Sequence, residues 1–106
     1  PPDVYVTHMG PVAQRLALRV AQVLRDEGFS VMLHYGTGSV KSQMKKADAS
    51  LACLAVIIGE DEVQSEEVSI KPLRKEGEQV RVALTQMGET VENMILEMKE
   101  NGNGCV

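Results

Sequence analysis

The amino-acid sequence predicts an α/β fold in three layers: a five-stranded mixed sheet of order 2-1-3-4-5, strand 4 antiparallel, with three helices against its faces. Three observations lead there. Apolar residues switch between strand and helix period so that the elements run β-α-β-α-β-β-β-α, which right-handed crossovers turn into three parallel strands covered by helices. Residues 51–58 are apolar without polar alternation, as in a central strand covered on both faces. The link over residues 60–65 is shorter than the dozen or so residues a parallel crossover needs, so strand 4 turns back antiparallel.

Residues 3–7 form a β-rich run, and Gly10-Pro11 then opens a segment with apolar residues at 12, 16, 20, 23 and 24, which is helical spacing. Gly28 stops that helix, and residues 29–33 read as strand 2, ending in His34-Tyr35 before a Gly36-Thr37-Gly38-Ser39 loop. Ser39 is an N-cap for a helix to about Ala49, with Val40, Met44 and Ala47 as its apolar stripe and Lys41 and Lys45 on another face. Beyond the central strand, Val68 and Ile70, then Val80, Val82 and Leu84, alternate with polar residues around a turn at Lys75-Glu76-Gly77, a hairpin with one wetter face. Val91, Met94, Ile95 and Met98 mark the last helix. Residues 1–100 are expected to be one domain, and 101–106 a disordered tail.

At 106 residues and 43% hydrophobic, the chain can bury one continuous core. It has no apolar run of membrane-spanning length, and its start at Pro1-Pro2-Asp3 without Met points to a piece of something longer. Cys53 and Cys105 fit no zinc or redox spacing and imply no disulfide framework, so the expected compartment is reducing cytosol. Net charge of −4, one Phe, two Tyr and no Trp speak against a general nucleic-acid binder. Local patches must carry any RNA contact: six of eleven Lys/Arg fall in Lys41/Lys45/Lys46 and Lys71/Arg74/Lys75, while five of fifteen acids crowd positions 60–67.

In a sheet of this kind ligands bind beyond the carboxyl ends of the parallel strands, which gathers Thr7-His8, His34-Tyr35-Gly36 and Gly59-Glu60 at one edge. Cys53 starts its strand at the other edge, roughly 17 Å away by strand rise, so no Cys-His chemistry is available. Two histidines without a third ligand do not make a metal site, and Gly36-x-Gly38 without a third glycine is no nucleotide fingerprint. Lys41 and Lys45 could hold an RNA backbone; the alternative is a solvated face on which Asp48 pairs with Lys45. Glu60-Asp61-Glu62 suits base edges rather than phosphates, because a carboxylate accepts two donors from an unstacked guanine; the alternative is an acidic surface loop.

Residues 38–48, GSVKSQMKKAD, with 55–63, AVIIGEDEV, and 68–74, VSIKPLR, resemble the C-terminal domain of bacterial histidyl-tRNA synthetases. The resemblance extends over roughly residues 3–98. It implies the class II anticodon-binding fold, gripping the anticodon loop of histidine tRNA. It also implies that ATP, histidine and catalysis belong to a separate catalytic domain of the same chain in a cytoplasmic homodimer. No cofactor and no catalytic residue is then expected in this domain. The RNA-binding candidates are Glu60 and Glu62 as base readers, Lys41 and Lys45 as backbone holders, Lys71 from the second basic segment, and Thr7, His8 and Ser39 at the rim. Two departures stand out: Leu51 where the family has glycine, and Cys53 where it has a basic or polar residue. Ser42 replaces a frequent lysine. The alternative function is a synthetase-like regulatory domain that binds a protein or uncharged tRNA.

Overall fold

The computed structural model describes residues 1–105, and its elements are β1 (Val4–His8), α1 (Pro11–Asp26), β2 (Val31–Leu33), α2 (Val40–Ala49), β3 (Leu54–Ile58), α3 (Glu60–Ser65), β4 (Glu67–Pro72), β5 (Val80–Ala83), a 3-10 turn (Leu84–Gln86) and α4 (Met87–Glu100). The sheet order is β2-β1-β3-β4-β5. β1 pairs parallel with β2 and β3, while β4 is antiparallel to both β3 and β5. Order and strand directions are those the sequence predicts.

The helix count differs from the expected one: among the described residues there are four helices, not three. The segment Glu60–Ser65, expected as a bare connection, is the helix α3. Six residues with Val63 as their one large apolar side chain carry no readable stripe. Their signal is electrostatic instead, since Glu60, Asp61 and Glu62 occupy the first turn, where the helix dipole favours negative charge. Glu66 then ends the helix in the left-handed conformation, φ 54°, and turns the chain into β4.

Register assigns the faces. On one side Val4, Val6, Leu54, Val56, Ile58, Val68 and Ile70 pack against α1 and α4, and all seven are fully buried. On the other, Tyr5 and Ala55 pack with Ala47 of α2 and with Ala52, flanked by Met44, Ile57 and Leu73. The stripe of α1 is rotated from the expected one: its buried residues are Ala13, Ala17, Val20, Ala21 and Leu24, while Val12 and Val23 are about half exposed. Alanines let the helix backbone approach the sheet closely, so the larger side chains are displaced to its flanks.

The turn between α2 and β3 passes through Leu51 in a conformation that favours glycine. Leu51 adopts φ 65°, a left-handed conformation that costs a residue with a Cβ about 1–2 kcal/mol. The expected absence of a disulfide is overturned: Cys53 and Cys105 are joined, with Cα atoms 5.7 Å apart. The reason is tertiary. α4 returns the chain to the start of β3, and residues 101–105, expected to be a disordered tail, turn there so that Cys105 lies in the core. Gly104 packs beside the Arg74 side chain, and Val106 lies outside the described residues.

Candidate nucleic-acid interface

The carboxyl ends of β1 and β3 are in register, His8 against Ile58, and the chain leaves them through Met9-Gly10 and Gly59. α2 runs back against the strand direction, so its first turn stands at the same edge. Three segments therefore converge: the loop 34–39 with Lys41 and Lys45, the Met9-Gly10 turn, and the start of α3.

What binds the first two of these segments together is a buried polar network. Gln43 is fully buried; its Nε2 donates to the carbonyls of His8 at 2.7 Å and Gly38 at 3.0 Å, while its Oε1 accepts from the His8 N–H at 2.9 Å. The sequence reading missed this residue, placing Met44 and Ala47 on the inner stripe and leaving Gln43 out. A glutamine one turn into a helix that follows a glycine loop is the signal, because its amide can satisfy donor and acceptor of one strand end together.

His8 and His34 belong to the same network and are almost wholly buried. His34 Nε2 faces the Thr37 carbonyl at 3.2 Å, which can only accept, so Nε2 carries the hydrogen and Nδ1 accepts from the Tyr5 hydroxyl at 2.8 Å. Burial raises the Tyr5 pKa, which keeps that hydroxyl a donor. His8 Nε2 donates to the His34 carbonyl at 3.1 Å, and the two rings meet edge to face. Thr7 is buried as well, its hydroxyl donating to the Val56 carbonyl at 3.3 Å. Thr7 and His8 thus brace the edge from beneath, and His8 also lines a cleft there with Gly10, Gln14 and Thr37.

Ser39 caps α2: its Oγ accepts from the Ser42 N–H at 3.1 Å, and the Ser42 hydroxyl returns a bond to the Ser39 carbonyl. Lys41 and Lys45 are exposed on consecutive turns. Asp48 does not pair with Lys45; it forms an ion pair with Arg74, which also donates to the Asp48 carbonyl at 3.1 Å. Lys71 stands apart from the edge. It lies opposite Ala55, three residues or roughly 10 Å down the strand from Ile58, on the α2 side of the sheet beside Met44 and Asp48.

The acidic residues divide sharply. Glu62 is mostly buried: its Oε1 accepts from the Gly59 N–H at 2.9 Å and its Oε2 from the Ser69 hydroxyl at 2.9 Å, with Arg81 Nη1 3.9 Å away. Burial by itself raises its pKa, but the hydrogen bonds from Gly59, Ser69 and its own backbone N–H, with the charge of Arg81, outweigh burial and hold it below the ordinary glutamate range. Such a carboxylate stabilises the fold above the unfolded-state value, about 4.3, and loses that contribution as pH falls through the folded value. The margin between the wild type and Glu62→Gln is accordingly expected to be about 1 kcal/mol at pH 7 and to shrink below about pH 4. Urea unfolding of both proteins at several pH values checks it; a pH-independent margin would show that ionisation is irrelevant here. Glu60 and Asp61 are exposed, the Glu60 carboxylate over Gly10 and 3.7 Å from where a Cβ on that glycine would stand.

Tyr35, which the sequence places at the end of strand 2 and at this edge, is 95% exposed. Among the described residues no group of three or more His, Cys, Asp or Glu is placed to hold a metal ion, and no helix is long and apolar enough to cross a membrane.

A doubly covered mixed sheet whose open edge offers lysines, the exposed carboxylates of Glu60 and Asp61 and an exposed ring, on a hydrogen-bonded base, defines a recognition domain. The chain belongs to the anticodon binding domain family, whose family model matches residues 3–94. It is 53% identical over 105 residues to a histidine–tRNA ligase of Aromatoleum aromaticum, an alignment covering 99% of this chain and 24% of that protein. It is 54% identical over 93 residues to that of Nitrosomonas eutropha, covering 88% and 22%. The chain thus spans about a quarter of the length of these relatives. Among solved structures, the histidyl-tRNA synthetase of a Nostoc species superposes with a TM-score of 0.81 at 33% identity over 88% of this chain and 22% of its own, and the apo enzyme of S. aureus with 0.77 at 27% over 86% and 23%. The RNA-binding domain of a Cryptosporidium parvum threonyl-tRNA synthetase has the same fold, TM-score 0.81 at 19% identity over 89% of this chain and 24% of its own.

Proposed function

We propose that this domain reads the anticodon loop of histidine tRNA for a longer, cytoplasmic histidine–tRNA ligase. ATP and histidine are bound by a catalytic domain of the same chain, which acts as a homodimer. The observation that carries the reading is identity above 50% across nearly the whole chain to a histidine–tRNA ligase, with the match confined to a quarter of that enzyme.

The geometry supports a division of labour. Lys41 and Lys45 hold phosphates of the loop, and Lys71 meets the backbone only if the RNA extends down the α2 side of the sheet. Glu60 accepts from a base edge, while Glu62, with both oxygens already accepting, supports α3 and contributes no readout. Ser39 sets the start of α2, and the buried Thr7 and His8 keep the edge in shape.

A filter-binding or fluorescence titration with a stem-loop carrying the histidine anticodon tests this. Lys41→Ala and Lys45→Ala are each expected to weaken binding to every loop sequence and to lower the salt slope by about 0.7. Glu60→Gln is expected to cost roughly 1–3 kcal/mol of discrimination against loops lacking the anticodon guanine, if energetics measured on base pairs in DNA hold. Equal binding to the histidine loop and to scrambled loops by the unaltered chain would sink the proposal.

A further inference from the structure

We infer that Tyr35 is a stacking platform for one unpaired base of the bound RNA, an aromatic contact that sets how the loop lies across the sheet edge. The inference rests on the RNA-reading function proposed above and adds the residue that orients the ligand. Exposure is the starting observation. The other large hydrophobic side chains at the surface are at most 57% exposed, so a ring at 95% is held away from the protein rather than laid against it. The chain has three aromatic residues, and Tyr5 is buried while Phe29 packs against the core, which leaves Tyr35 as the one ring presented to solvent.

An exposed ring becomes a platform only if its backbone is fixed, and the loop beneath Tyr35 is anchored on both sides. His34 immediately before it is fastened by four hydrogen bonds: its N–H donates to the Val6 carbonyl at 2.8 Å, and its ring and carbonyl engage Tyr5, Thr37 and His8. After it, Gly38 is fastened by Gln43 at 3.0 Å. Gly36 at φ 88° and Gly38 at φ 131° allow the sharp reversal that leaves the Tyr35 side chain outside. The ring thus sits on a braced loop one step ahead of the basic helix. Single-stranded RNA is read by stacking unpaired bases on such rings while lysines hold the neighbouring phosphates.

The experiment uses the 106-residue chain and a stem-loop with the histidine anticodon, in which 2-aminopurine replaces each loop base in turn. Tyr35→Ala is expected to weaken binding roughly tenfold or more, with an unchanged salt slope, because no phosphate contact is lost. Tyr35→Phe should bind within about twofold of the wild type, since the face of the ring and not the hydroxyl makes the contact. One substituted position should lose fluorescence on binding to the wild type and to Tyr35→Phe, and keep it with Tyr35→Ala. Wild-type-like affinity of Tyr35→Ala would overturn the inference and point to a protein partner for the ring; equal losses in the alanine and phenylalanine variants would replace stacking by a hydroxyl contact. A folded wild-type chain that fails to distinguish the stem-loop from unrelated RNA would remove the RNA-reading function and this inference with it, a result separable from failure of the tyrosine alone.

Discussion

Replacing Gln43 by leucine is expected to lower the free energy of unfolding by about 2–4 kcal/mol, a large fraction of the stability of a domain this size. Leucine matches the volume of the buried side chain but leaves the N–H and the carbonyl of His8 without partners in a place where His8 itself is only 4% exposed. The Gly38 carbonyl also loses its donor, though water can reach that exposed loop. A second consequence separates this residue from an ordinary core position: with one anchor of the loop 34–38 gone, RNA affinity should fall although Gln43 itself is inaccessible to any ligand. Glu at this position is the sharper variant, because a carboxylate keeps the acceptor and loses both donors. Urea unfolding gives the stability change and a stem-loop titration the binding change. A loss below about 0.5 kcal/mol for Gln43→Leu would mean that water replaces the amide and that the network is not what shapes the edge.

The second large effect is redox-dependent. In a chain that has been oxidised, Cys105→Ser should lower stability by about 4 kcal/mol, the entropy recovered by the unfolded chain when a bridge across 52 residues is removed. Under a thiol reductant the variant and the wild type should differ by less than about 1 kcal/mol, since two buried thiols pack much as a thiol and a hydroxyl do. A reducing compartment favours the thiol form and an oxidising one the bridge. Denaturant curves with and without reductant, together with a count of reactive thiols before and after reduction, check the pair. Two reactive thiols in the oxidised, folded chain would show that the bridge does not form.

These two residues show where reading along the chain reached its limit. Strand order, strand direction, the cap at Ser39 and the central strand were legible because each depends on local period, local turn chemistry or the length of a connection. The pairing of Cys53 with Cys105 depends on where α4 ends in space relative to the start of β3, a distance no spacing along the sequence expresses. α3 escaped notice because its evidence is three acids at a helix start, which in one dimension is indistinguishable from an acidic loop. The alanine face of α1 was misread because large apolar residues draw attention while packing distance selects small ones.

For the candidate site, the sequence by itself determined which groups meet at the sheet edge: the ends of β1 and β3, the loop before α2, its lysines and the acids after Gly59. That follows from topology, since parallel strands deliver their carboxyl ends to one side. Only the tertiary structure decided which of those groups are free to act. Glu60 and Glu62 are two residues apart and chemically identical, yet one faces solvent over Gly10 while the other closes hydrogen bonds to Gly59 and Ser69. His8, Thr7 and Gln43 are polar in the sequence and interior in the fold, and Tyr35 is the reverse, an aromatic residue turned to water. The physical reason is the same in each case: a buried polar atom must find its partner in three dimensions, so availability for a ligand is settled by the network that uses a group up and cannot be read from the residue's type.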